Sequence, residues 1–157
     1  MCTGAMVNAD NSPHVAVLGE ALVDVIANDP SNNGADTALV GGSPLNVAVG
    51  LSRLGFHATL HSRVGTDDYG TLSVGTDDYG TLIQQHLEKE NVTLPSGFTD
   101  AGRTSTATVT LDPQGVASYT FDLVWDIEAP DTGGAGFVHT GPIGAVLEPA
   151  TPRCAMP

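Results

Sequence analysis

A chain of 157 residues is long enough for one domain with a core of its own. Its formal net charge of −13, from 18 acids against five Lys plus Arg, argues against a nucleic-acid or anionic-membrane partner, since both need a basic face. Aromatics make up 5% of the residues, so the core must be aliphatic, and the two cysteines, Cys2 and Cys154, form neither a disulfide framework nor a metal-ligand spacing.

The acids are dispersed rather than clustered, which reads as solubility rather than as a metal cage. The opening MCTGAMVNADNS is polar and carries no Lys or Arg, so it is not a signal peptide. No apolar run approaches the ~20 residues of a membrane span. A reducing cytoplasm is the expected location.

Residues 1–13 read as a disordered leader. His14 to Gly19 (HVAVLG) is a short apolar run suited to a buried strand, and Leu22 to Ala27 continues it with Asp24 set among apolar residues. Asn28 to Gly34 is a turn-rich loop. Asp36 to Val40 is expected to be a strand entering the double glycine Gly41-Gly42. Ser43 suits an N-cap and Pro44 the first helical position, with Gly55 placed to end the helix. Ala58 to Val64 reads as a strand, and Leu82 to Asn91 as an amphipathic helix with Leu82, Ile83, His86 and Leu87 on one side. Strands alternating with helices predict a parallel α/β sheet.

Thr104 to Phe121 alternates with period two around the turn Asp112-Pro113-Gln114-Gly115. It predicts an antiparallel hairpin, over about 103–123, that forms a flap on the α/β body. Phe137 to Thr140 returns to the core sheet. Val64 to Leu72 (VGTDDYGTL) recurs unchanged at Val74 to Leu82, a tandem duplication over 64–82 of which one copy is expected to bulge out; loop-closure cost grows only logarithmically with length. The main domain is expected over 14–148, and the proline-rich stretch 149–157 reads as an irregular tail.

Several residues suit a small polar ligand. Gly41 and Gly42 let a ligand approach the backbone, and the free amides of the following helix can bind polar groups. Asn46 in the first turn can both donate and accept hydrogen bonds. Asp24, a carboxylate among apolar residues, needs a partner, and a sugar hydroxyl would serve. Each also has a plain structural reading: a strand-to-helix turn, a surface amide, a strand-end acid facing water. The histidines show no HxH or HExxH spacing, and there is no GxxxxGK[ST], GxGxxG or GxSxG.

Gly41-Gly42-Ser43-Pro44-Leu45-Asn46-Val47-Ala48, followed by Gly55 and Gly65, resembles the N-terminal signature of the ribokinase-like (PfkB-type) carbohydrate kinases. The opening Gly19-Glu20 with Asp24, the loop Gly65-x-Asp67-x-x-Gly70 and the later His139-Thr140-Gly141 look similar too, so the likeness covers about residues 14–147. It implies an α/β body with a small antiparallel β lid that closes over the sugar and often forms a dimer contact, leaving room for a homodimer through the lid. By resemblance Asp24, Gly41, Gly42 and Asn46 hold sugar hydroxyls, and Tyr119 or Phe121 packs over the sugar. The GE…D opening with GG-x-P-x-N looks nearer to fructokinases than to ribokinases.

Members of that family transfer the γ-phosphate of ATP, with Mg2+, to a sugar hydroxyl. Their catalytic Asp sits in a GAGD-type motif, absent here along with the Asn-x-x-Glu motif and the adenine site. The expectation is therefore the N-terminal half of a sugar kinase, inactive alone, with no catalytic residue of its own and weak binding of ATP or Mg2+. The alternatives are a non-catalytic sugar-binding or dimerising module, or the non-functional product of a disrupted gene.

Overall fold

A computed structural model describes residues 12–62, 64–65, 78–95, 99–100, 103–112, 114–123 and 131–141. The expected leader up to residue 11, most of the tandem repeat and the tail lie outside the described residues. Nine strands and two α-helices are described, beginning with β1 (His14–Leu18), β2 (Leu22–Ile26), β3 (Thr37–Gly41), α1 (Ser43–Arg53), β4 (His57–His61) and β5 (Val64–Gly65). There follow α2 (Asp78–Lys89), β6 (Thr99–Asp100), β7 (Ser105–Leu111), β8 (Ala117–Asp122) and β9 (Phe137–Thr140).

The body is a parallel sheet in the order β4-β1-β9. Residues paired across a ladder share a face, so Val15, Val17, Ala58 and Leu60 lie together. They pack against Leu45, Ala48 and Val49 of α1 and Ile83 and Leu87 of α2. This is the aliphatic core that the scarcity of aromatics demanded. Thr93 extends the sheet beyond β4, its carbonyl accepting from Leu60 N–H at 2.8 Å. At the opposite edge β9 is solvent-exposed, with Phe137 66% and Val138 58% accessible on opposite faces. The hydrophobic run of β9 thus has the character of a central strand while occupying an edge among the described residues.

Three elements differ from their sequence reading. The strand expected over Ala58 to Val64 ends at His61, and Val64 pairs with Thr99 in a separate two-stranded sheet. Leu22 to Ala27 does not continue β1. The chain breaks at Gly19 (φ 150°), and β2 enters a second sheet ordered β3-β2-β7-β8. The lid is thus four-stranded and mixed. β2–β3 and the expected hairpin β7–β8 are antiparallel, while β2–β7 is parallel. The hydrophobicity of β2 was right for a strand but says nothing about which sheet accepts it. Third, α2 begins at Asp78, a turn before Leu82, and takes in Gly80, which is buried. Asp78 in the first turn complements the helix dipole, which helps to offset the cost of a helical glycine.

The helix ends follow local chemistry. Gly42, not Ser43, is the N-cap of α1, and Pro44 occupies the first turn. At the C-terminus Gly55 has φ 88°; its N–H donates to Ser52 O at 2.9 Å and Phe56 N–H to Leu51 O at 3.1 Å, a Schellman closure. No helix among the described residues is long and apolar enough to cross a membrane.

The second face of the body sheet sets polar side chains among Ala16, Leu18 and Val138. His14 and His57 are register neighbours with rings stacked at 4.6 Å, and His14 Nε2 shares a hydrogen bond with Thr59 Oγ1 at 2.8 Å. His61, on the same face, is 2% exposed. Burial pushes its pKa below the ordinary 6.5, the proximity of His14 adds to this, and Asp131 opposes it. A histidine whose folded pKa is depressed binds protons better when unfolded, so stability falls as the pH drops below 6.5. The thermal midpoint should therefore decline between about pH 7 and about pH 5.5, and His61→Gln should flatten that decline. Parallel profiles for the two proteins would assign the acid sensitivity elsewhere.

Candidate functional site

The carboxyl ends of β1, β4 and β9 converge with the start of α1, the place where open α/β sheets bind ligands. Backbone and side-chain bonds fix this corner. Gly19 N–H donates to His61 O at 3.1 Å and Gly141 N–H to Leu18 O at 3.0 Å. Ala21 N–H donates to Ser62 Oγ at 2.8 Å. The Pro44 ring is wedged between two glycines. A Cβ on Gly19 would lie 2.2 Å from Pro44 Cγ, and one on Gly141 would lie 2.4 Å from the same atom.

Gly41 and Gly42 are required by close approach. A Cβ on Gly41 would fall 2.3 Å from Asp24 Oδ2, so the carboxylate rests on the bare glycine. The cause lies in the register: Leu22 pairs with Gly41 and Asp24 with Leu39, which puts Asp24 and Gly41 on one face of the lid. Gly42 adopts φ 110°, and its would-be Cβ lies 2.5 Å from Glu20 O. As the N-cap, Gly42 provides no side-chain hydrogen bond, and its carbonyl accepts from Asn46 N–H at 3.0 Å. The earlier amides of the first turn stand outside the intrahelical ladder.

Asp24 is partly buried, and burial pushes its carboxyl pKa above the ordinary 3.8. Asn46 is exposed on α1. On the lid, Asp24 pairs with Ala107, and Ala107 with Phe121. Ile26, Val109 and Tyr119 form the next row on that face. Tyr119 and Phe121 are 57% and 54% exposed, their rings stacked at 6.1 Å and 12° apart in plane. Phe121 lies two strands from Asp24, about 10 Å. Among the described residues neither the rings nor Asn46 hydrogen-bond to Asp24. The structure thus unites Asp24 with Gly41 directly, sets Gly42 and Asn46 on the adjoining turn, and places the aromatic pair across the same lid face.

The sequence reading quoted Glu20 but gave it no role. Its side chain is 5% exposed, with Oε2 buried and lacking a hydrogen-bond partner. The available signal was a single acid inside the apolar stretch VAVLGEALV. A carboxylate, exposed backbone, an amide and aromatic rings suit a neutral polyol. Among the described residues no group of three or more His, Cys, Asp or Glu could hold a metal ion.

Comparison with known proteins places the chain in a family. Residues 12–73 match the family described as pfkB family carbohydrate kinase. The chain is 39% identical over 111 residues to a fructokinase of Escherichia coli, covering 70% of this chain and 32% of that protein. A fructokinase structure from Halothermothrix orenii superposes with a TM-score of 0.66 at 27% identity, covering 87% of this chain and 49% of the other. The apo fructokinase of Vibrio cholerae gives a TM-score of 0.53 at 33% identity, over 71% of this chain and 34% of that one. The chain therefore spans a third to a half of the length of these relatives. With its parallel body sheet, its lid and the glycine-flanked turn into α1, it belongs, in its N-terminal portion, to the ribokinase-like pfkB family of carbohydrate kinases.

Proposed function

We propose that this chain supplies the sugar-binding portion of an ATP-dependent sugar kinase of the fructokinase type, acting in a reducing cytoplasm. The observation that carries the reading is the Asp24 carboxylate resting on Gly41 and facing the same side of the lid as Phe121. Asp24 accepts from sugar hydroxyls, the Gly41–Gly42 backbone admits the ring, Asn46 bridges a further hydroxyl, and Tyr119 and Phe121 cover the apolar face of the sugar. When bound, Mg·ATP supplies the phosphoryl group; phosphoryl transfer rests on positioning and charge stabilisation, and the described residues offer groups for positioning only.

A sugar-binding module without transfer is the second reading. It is favoured by the make-up of the site: Asp24, Asn46 and the Gly41–Gly42 backbone suit hydroxyls, and Tyr119 and Phe121 suit the apolar face of a sugar. The exposed Tyr119, Phe121, Leu39 and Leu111 of the lid support self-association there.

Titration calorimetry of the purified chain with D-fructose, followed by an ADP-release assay with Mg·ATP, tests both readings. Saturable binding without ADP release is expected. Fructose-dependent ADP release would overturn the expected inactivity, and absence of binding would overturn the sugar assignment itself.

A further inference from the structure

We infer that Glu20, whose carbonyl lies under Gly42, is a second acceptor for the bound sugar, and so a specificity-determining residue of the site. The inference rests on the sugar-binding reading and adds a residue to it.

Glu20 occupies the turn from the body sheet to the lid, immediately after the carboxyl end of β1. Its carbonyl oxygen lies under Gly42, and its Oε2 stands 3.3 Å from where a Cβ of Gly141 would be. The Pro44 ring of the first turn of α1 crowds the same point at 2.4 Å. The carboxyl group is thus held at the N-terminus of an 11-residue helix, where the dipole favours a negative charge. Yet the side chain is 5% exposed and Oε2 has no hydrogen-bond partner. Burying a polar group without a partner is costly, and an acid more so. A fold that merely needed to fill this space would carry an apolar side chain; violations of this kind are expected at functional sites.

The missing partner must be a hydrogen-bond donor. A polyol supplies hydroxyl donors without charge. Asp24 lies against Gly41 on the lid and the Glu20 carboxylate lies beside Gly141 at the end of the body sheet, so a sugar held by both would bind one acceptor on the lid and one on the body. Two acceptors at fixed positions discriminate among sugars by the placement of hydroxyls, because a sugar lacking one leaves a carboxylate oxygen unpaired.

The test compares the full chain with Glu20→Gln and the near-isosteric Glu20→Met by thermal unfolding and by calorimetry with D-fructose and its monodeoxy analogues. Both variants are expected to unfold at a higher temperature than wild type without sugar, and to bind D-fructose about tenfold more weakly or worse. For one monodeoxy analogue the difference between wild type and Glu20→Met should vanish, since the hydroxyl that Glu20 receives is gone. Wild-type affinity in both variants overturns the inference while leaving the sugar reading intact. So does a deficit of equal size for every analogue, or failure of both variants to fold, either of which would make the carboxylate structural. If wild type binds no sugar, the sugar reading falls and takes this inference with it.

Discussion

Gly42→Ala is expected to lower the thermal midpoint of the chain by roughly 10 °C. Two costs combine. The residue sits at φ 110°, a conformation that costs an L-residue about 1–3 kcal/mol. Its new Cβ would stand 2.5 Å from Glu20 O and 3.2 Å from Ala21 Cα, backbone atoms that cannot rotate aside, and overpacking of this kind adds about 1–3 kcal/mol. A loss near the middle of that combined range, at about 2–4 °C per kcal/mol for a chain of this size, gives the stated shift. Gly41→Ala forms the internal control. Its Cβ meets the end of the Asp24 side chain, which can swing away, so the fold should survive while the carboxylate is displaced. Circular dichroism melts of the two variants decide the matter: equal midpoints would show that the turn into α1 can rearrange freely.

Asp24→Asn should weaken D-fructose binding by about ten- to a hundredfold with no loss of stability. A hydrogen bond to a charged group is worth about 1.5–3 kcal/mol, which sets the range. The stability half of the expectation follows from the sign of the pKa shift. Burial raises the carboxyl pKa above 3.8, so the folded chain holds the proton more tightly than the unfolded one. The stabilisation this gives is present below 3.8 and disappears as the pH rises through the folded value. At neutral pH the ionised carboxylate contributes nothing favourable of this kind, and a neutral amide should melt at the same temperature or slightly higher. A variant that melts several degrees lower while retaining its affinity would identify Asp24 as a structural acid.

Much of the site was legible because it is local. Residues 41–55 contain the double glycine, the helix-compatible proline and the stop glycine in one short run, and each has a backbone reason visible in the letters. The cap was misassigned from Ser43 to its neighbour because a glycine N-cap is compelled here by the carbonyl of Glu20, a contact from another segment. The lid hairpin was readable from the alternation of Thr106, Thr108 and Thr110 with Ala107, Val109 and Leu111, and its turn from Asp112, whose Oδ1 accepts from Gln114 N–H and Val116 N–H. That β2 leaves the body for the lid was not readable, since Leu22 to Ile26 is apolar enough for either sheet and the choice is made by pairing with Ser105 to Val109. Glu20 was unreadable for the same reason: an acid in an apolar run is a surface residue or a buried one depending on what folds over it, here Pro44 and Gly141.

The Pro44 ring joins three parts of the chain that are far apart in sequence. Gly19 and Gly41–Pro44 can meet early, since short loops close in well under a microsecond. Gly141 must be brought back across about 100 residues, a closure with an entropic cost of about 4 kcal/mol plus a constant. Docking of β9 should thus be a late, high-contact-order event, and the turn at Gly41–Asn46 can be set before it. A nascent chain would carry a formed sugar-turn for as long as synthesis of the remaining segment takes, so a ligand or a chaperone could engage that turn while the sheet is still two strands wide.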